Sequence, residues 1–205
     1  VAPFISMKQI INLFLSAFAC LGQGQSPPAR ITVPYGDHPH QAMDIYAQPK
    51  SKGLPVVFWI HGGGFNDGDK AKGRETNFCH EMALHGYFAM SINYKLRRSQ
   101  GQVTWPQSVH DAKTAVRWLR KNAKKLEIDP DRIGVIGCSA GGNLAAMLGT
   151  TGPADGLDPA GPYADFPASV KCAVDFYGAV DLMNYHDMKM FAKTREEAPE
   201  LYKKA

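Results

Sequence analysis

The sequence predicts an α/β fold built on a mostly parallel sheet, and three observations carry that reading. Strand-like and helix-like segments alternate along the chain. One run, "LPVVFWI" (54–60), is apolar without interruption, as in a strand covered on both faces. A later segment instead carries a single apolar stripe, Val109, Ala112, Val116 and Leu119, at the spacing of a helix that buries one side. With 205 residues, 44% of them hydrophobic and 20% charged, the chain can build one domain with a substantial core and does not resemble a disordered segment.

The elements follow in order. Segments 30–34 and 42–47 open as strands, separated by the turn-rich "YGDHPHQ". The apolar strand 54–60 runs directly into "HGGGF", and a helix is predicted around 77–86, ended by Gly86. Strand 87–94 follows. The striped helix then starts at "TWPQ", where Thr104 and Gln107 are placed for a capping box and Pro106 suits a first turn. "DPDR" turns the chain into strand 133–137, a second helix covers 141–150, and 169–178 supplies a sixth strand. Between them, 151–167 is a Gly/Pro-rich surface loop, and 184–205 is polar and helix-like.

Residues 1–25 are read as upstream residues and a secretory signal, leaving 26–205 as the N-terminal portion of a single α/β domain. From Met7 the chain shows one basic residue, Lys8, an apolar run from Ile10 to Phe18, and an A-x-A cleavage pattern at 17–19 that would leave Cys20 first. This run is too short to span a bilayer, so the expected location is secreted or periplasmic. Lipidation of Cys20 is the alternative, against which Ala17 and Phe18 make a poor lipobox.

Charge and cysteine content exclude several function classes. The formal charge is +4, and its densest basic run, "RWLRKNAKK" (117–125), reads as a solvated helix face rather than a nucleic-acid patch with interleaved aromatics. Cys79, Cys138 and Cys172 are too few for a disulfide framework, and Cys138 and Cys172 sit in apolar strand contexts that predict burial. No C-x-x-C pair occurs, and a Gly/Asp/Pro turn explains His38 and His40 better than a metal does. No metal is therefore expected.

Chemistry concentrates in "RIGVIGCSAGGNLA" (132–145). Gly137-Cys138-Ser139-Ala140-Gly141 is a G-x-S-x-G motif between a predicted strand and a predicted helix, the context that motif requires. Each glycine in an element costs roughly 0.5–1 kcal/mol relative to alanine, so their density points to a geometry that side chains would block. A strand reversing sharply into a helix lifts the Ser139 hydroxyl clear of the sheet and points the Ala140 N–H at any developing negative charge. Upstream, His61-Gly62-Gly63-Gly64 follows the third strand, where bare amides at Gly63 and Gly64 would complete an oxyanion hole. A tight turn at 61–65 and a phosphate-binding elbow are the bland readings of the two motifs taken singly.

Together with "WPQSVHDAKTAVRWLRKNA" and "IDPDRIGVIGCSAGGNLA", these motifs resemble the α/β-hydrolase superfamily over roughly residues 30–182. The resemblance is to its HGGG-type esterase/lipase branch, which includes hormone-sensitive-lipase-like proteins and bacterial feruloyl and acetylxylan esterases. It implies serine hydrolysis of small-molecule or polysaccharide-linked esters, without cofactor, metal or nucleic acid. Ser139 would be the nucleophile, Gly63, Gly64 and Ala140 the oxyanion donors, and His61 a structural brace beside Gly62. A noncatalytic module of the same fold and an amidase or formamidase with the same elbow are the competing readings.

The sequence departs from the family in one respect. A serine needs a base oriented by a carboxylate, and the family carries these after its seventh and eighth strands. Downstream of Ser139 the one histidine is His186; Asp181 lies only five positions before it, and Asp175 falls inside the sixth strand. Those spacings suit poorly two groups that must converge from separate strand ends. The sheet is accordingly expected only through about its sixth strand, with acid and base beyond Ala205.

Overall fold

The computed structural model describes residues 28–47, 52–97 and 104–180. Six strands, β1 (Ala29–Pro34), β2 (Ala42–Ala47), β3 (Leu54–Ile60), β4 (Phe88–Ile92), β5 (Ile128–Cys138) and β6 (Cys172–Phe176), alternate with three helices: α1 (Gly73–Leu84), α2 (Gln107–Leu126) and α3 (Ala140–Thr150). The sheet order is β1-β2-β4-β3-β5-β6. β1 and β2 form an antiparallel hairpin, β2 is antiparallel to β4, and β4, β3, β5 and β6 are mutually parallel. The proposed signal segment, Cys20, Asp181, His186 and the helix-like 184–205 lie outside the described residues.

The uninterrupted apolar run sits where it must, as β3 between β4 and β5. Its alternate residues feed two cores. Phe58 joins Met90 and Val135 under the stripe Val109, Ala112, Val116 and Leu119 of α2 and under Leu144, Ala145 and Leu148 of α3. On the opposite face Trp59 joins Ala89, Tyr46 and Cys138 against Cys79 and Ala83 of α1. Gly86 stops α1 as its sequence predicts: at φ +85° it closes a Schellman motif, with Gly86 N–H donating to the Ala83 carbonyl and Tyr87 N–H to that of Met82.

Three local expectations are corrected. The capping box at Thr104 does not form. Pro106 occupies the N-cap without a side-chain bond, and Gln107 Nε2 instead donates to Asp111 Oδ1 at 2.9 Å. Asp111 is fully buried and takes every donor within reach: His40 Nε2, Gln41 Nε2 and the Lys95 N–H complete its shell. The strand predicted from Ile133 begins at Ile128. Asp129–Arg132 form a bulge opposite Pro55, which has no N–H for a ladder bond, and the Asp129 carboxylate caps that bulge by accepting from Asp131 N–H and Arg132 Nε. Cys172 is exposed because β6 is the outermost strand among the described residues, whereas Cys138 is buried as expected.

The basic face is only partly solvated. Lys121, Lys124 and Lys125 are exposed, but Arg117 and Lys113 are buried beneath the 151–167 loop. Asp158 in that loop pairs with Lys113 Nζ and with Arg117 at 3.0 Å, and Arg117 also donates to the Pro159 carbonyl. The loop is therefore a strap tied to α2 by one carboxylate between two buried cations. Removing one partner of a buried pair leaves uncompensated charge at a cost of about 3–5 kcal/mol. Asp158→Ala is expected to lower the unfolding free energy of the full-length protein, read from urea titration, by an amount in that range; an unchanged urea midpoint would show the strap to be ornamental.

Candidate active site

The parallel strands β3 and β5 end side by side, with Ile60 paired to Gly137, and both candidate motifs start there. At this edge the chain passes from β5 into α3 across one residue. Ser139 is the N-cap of α3, with φ 54° and ψ −121°, a left-handed backbone that a serine adopts only when its surroundings enforce it. Those surroundings are backbone. A Cβ on Gly137 would stand 2.1 Å from the Gly141 carbonyl oxygen, and one on Gly141 would stand 2.2 Å from that of Ile60. Three segments of main chain meet there with room for hydrogen alone.

The elbow is also bonded on both sides. The Ser139 N–H donates to the Phe176 carbonyl of β6 at 2.9 Å, and the Ser139 carbonyl accepts from Asn143 N–H at 3.0 Å. Asn143 is itself buried and donates from Nδ2 to the Ala179 carbonyl. Ser139 remains half-exposed while its neighbours Cys138 and Ala140 are buried. Ala140 opens α3, so its N–H belongs to the helix's unpaired first turn.

The His61–Gly64 loop lies against this corner. A Cβ on Gly62 would fall 3.2 Å from Ser139 Cβ. Gly63 (φ +115°) and Gly64 (φ +59°) both take left-handed backbone, and the Gly63 carbonyl accepts from the N–H groups of Asn66 and Asp67. That turn consumes the Gly63 carbonyl; neither the Gly63 nor the Gly64 N–H donates to a backbone acceptor among the described residues. His61 is buried, donates from Nδ1 to the Gly62 carbonyl at 2.6 Å, and stacks on Tyr94 with ring centroids 4.5 Å apart. Tyr94 returns its hydroxyl to the His61 carbonyl at 2.9 Å. No imidazole among the described residues is hydrogen-bonded to the Ser139 hydroxyl: His61 is committed to the loop, and His40 to Asp111.

Arg74 and Tyr177, beside the elbow, escaped the sequence reading. Arg74, in the first turn of α1, places its guanidinium 3.3 Å from Cys138 Sγ and 3.1 Å from the Tyr177 hydroxyl. Nothing in "KGRET" marks it, because its neighbours are distant in sequence. Asp175, weighed as an acid, accepts from the Gly178 N–H at 2.7 Å and faces Gly142 across the gap between β6 and α3.

A parallel sheet between helices, with a strained serine at a strand-to-helix corner under a glycine loop, is the architecture of the α/β-hydrolase fold. Residues 43–203 match the BD-FAE family, and the chain belongs to that family. Esterase LipC of Mycobacterium tuberculosis is 34% identical over 158 residues, covering 74% of this chain and 37% of that protein. The probable carboxylic ester hydrolase LipM of the same organism is 30% identical, covering 81% and 41%. This chain thus spans about two fifths of the length of these curated relatives. Among solved structures, a truncated carbohydrate esterase from gut microbiota superposes with a TM-score of 0.67 at 26% identity, covering 78% of this chain and 60% of that one. The butyrate-bound esterase Est2 of Thermogutta terrifontis gives 0.66 at 25% identity, covering 86% and 63%.

Backbone strain of this kind stores on the order of 1–3 kcal/mol. Ser139→Gly should relieve it and raise the unfolding free energy by about 1 kcal/mol after the greater freedom of an unfolded glycine is set against it, whereas Ser139→Ala should bring no such gain. Equal midpoints for the two variants would remove the strain from the elbow. Histidines give a second test. Burial holds His61 below its ordinary range; it also holds His40 and His110 there, outweighing the pull of the Asp111 carboxylate in the other direction. The unfolded chain takes up these protons near pH 6.5 and the folded chain only below it, so stability is full above about 6.5 and falls as pH drops. Urea midpoints at pH 7.5 and 5.5 should show this decline, and His61→Gln should flatten it.

Proposed function

We propose that this chain carries the nucleophile and oxyanion machinery of a serine hydrolase acting on carboxylic esters. The observation that supports it most directly is the left-handed backbone of Ser139 at the corner between β5 and α3, against the Gly62–Gly64 loop. In the proposed reaction the Ser139 hydroxyl oxygen attacks the ester carbonyl as its proton passes to a general base. The tetrahedral oxyanion rests on the N–H groups of Gly63, Gly64 and Ala140, each donor being worth on the order of 2.7–4 kcal/mol. The carbon–oxygen bond to the alcohol then breaks, the base returns its proton to the departing alcohol, and an acyl group remains on Ser139. Water deacylates it by the same route, releasing the acid.

The base and its orienting carboxylate are assigned to the complete protein outside the described residues; Asp181 and His186 lie there as well. Within the described part, His61 braces the loop rather than moving protons, because its Nδ1 is bound to the loop's own carbonyl and its ring is clamped on Tyr94. Plant-polysaccharide esters, acetyl or feruloyl, are the proposed substrates. Their support is the expected secretory signal and the likeness to a carbohydrate esterase of gut microbiota. Secretion or periplasmic export is proposed with them.

A fluorophosphonate probe on the full-length protein should label Ser139 stoichiometrically and leave Ser139→Ala unlabelled. A short acyl ester should turn over far faster than its matching amide, which an amidase would reverse. Gly63→Ala, whose added Cβ would fall 1.9 Å from the Asp67 carbonyl oxygen, should cut kcat/KM by at least about a hundredfold. An unlabelled, folded protein would favour a noncatalytic module instead.

A further inference from the structure

Arg74 is an exposed cation on α1 whose contacts bracket the elbow from both sides. Its NH1 group reaches Sγ of Cys138, the residue immediately before Ser139, at 3.3 Å. The same nitrogen reaches the hydroxyl of Tyr177 at 3.1 Å, and Tyr177 immediately follows Phe176, whose carbonyl accepts the Ser139 N–H. The guanidinium thus touches the residue before the serine and the residue after the serine's hydrogen-bond partner on β6.

What holds it leaves most of it free. A guanidinium has five N–H donors in a rigid fork, and the two contacts engage only one nitrogen. Neither contact is a carboxylate. Among the described residues Arg74 has no acidic partner: the nearby Asp67 pairs with Lys72, and Asp69 accepts from Asn93 and from the Ala71 N–H. Its sequence neighbour Glu75 is buried under the helix. A weakly hydrated, planar cation near a candidate nucleophile, with no carboxylate at ion-pair distance among the described residues, suits an oxyanion taken in bidentate fashion, and on a carboxylic-ester substrate that anion is a carboxylate.

We propose that Arg74 is a specificity-determining residue that selects esters bearing a carboxylate on the portion lying between α1 and the end of β6. This inference rests on the ester-hydrolase reading and deepens it by naming a substrate class. The carboxylate belongs either to the acyl group or to the alcohol, as it would on a uronate sugar. Cys138 Sγ and the Tyr177 hydroxyl aim the fork, and the two unengaged nitrogens receive the anion.

The test uses matched charged and neutral esters on the full-length protein. On the acyl side these are p-nitrophenyl hemiglutarate and p-nitrophenyl valerate; on the alcohol side, 4-acetoxybenzoate and its methyl ester. At low salt, one charged member should exceed its neutral partner in kcat/KM by about tenfold or more, and the pair showing this preference locates the carboxylate. Arg74→Gln should bring that ratio to near one. Arg74→Lys should keep part of it, since an ammonium supplies charge without the fork. Raising the ionic strength to about 0.5 M should erode the wild-type ratio, as expected for an exposed pair. A wild-type ratio near one in both pairs, or a ratio that survives Arg74→Gln, overturns the assignment while fluorophosphonate labelling of Ser139 persists. Absence of labelling and of hydrolysis of all four esters overturns the ester-hydrolase reading, and this assignment with it.

Discussion

Three stretches of main chain share one small volume at the edge of the sheet: the last residue of β3, the end of β5 and the first turn of α3. Their separation is set by carbonyl oxygens of Ile60 and Gly141 lying about 2 Å from where Cβ atoms of Gly141 and Gly137 would be. From that constraint the rest of the site follows. α3 can start only where it does, Ser139 is forced into left-handed backbone to make the corner, and the loop after Ile60 arrives directly against it. The shape of this corner is a consequence of close packing between backbones, which is why bulk at these positions is excluded for reasons unrelated to any substrate.

A second organising centre, Asp111, lies in α2 at the same end of the sheet. A fully buried carboxylate is tolerable only with a complete donor shell, and here the donors come from the β1–β2 turn, the segment after β4 and the start of α2. The hairpin that would otherwise hang at the sheet's antiparallel end is thereby fastened to the helix. Tyr94 extends the same edge inward, linking the segment after β4 to the glycine loop through its ring and hydroxyl. The scaffold behind the serine is thus held by polar bonds at its carboxyl end and by two apolar layers along its length.

Most of this was legible in the sequence where local pattern and global environment agree. The apolar stripe of α2, the unbroken β3 and the stop at Gly86 each express one physical requirement through residues close together in the chain. Their boundaries were less so. The capping box failed because a buried carboxylate four residues on competed for the Gln107 amide, and the early start of β5 was hidden because Asp-Pro-Asp-Arg reads as a turn even when folded as a bulge within a strand. At the site, the glycine spacing revealed the elbow, whereas Arg74 and Tyr177 were invisible: a contact spanning 103 positions leaves no trace in either local segment. The buried Arg117 shows the same limit, since the distant Asp158 and the Pro159 carbonyl make a cation acceptable there.

The bulge at Asp129–Arg132 has a mechanical consequence. From Val56 opposite Ile133 to Ile60 opposite Gly137, the two central strands pair without interruption. All irregularity in β5 is confined to its far end, where Asp129 and Arg132 clip it and Arg132 anchors to the Gly53 carbonyl. The five regular rungs act as a spacer of fixed length, so drift in the connection from α2 is absorbed before it can reach the corner at Ser139. A lineage is thereby free to lengthen or reshape that connection while the hydroxyl stays in place.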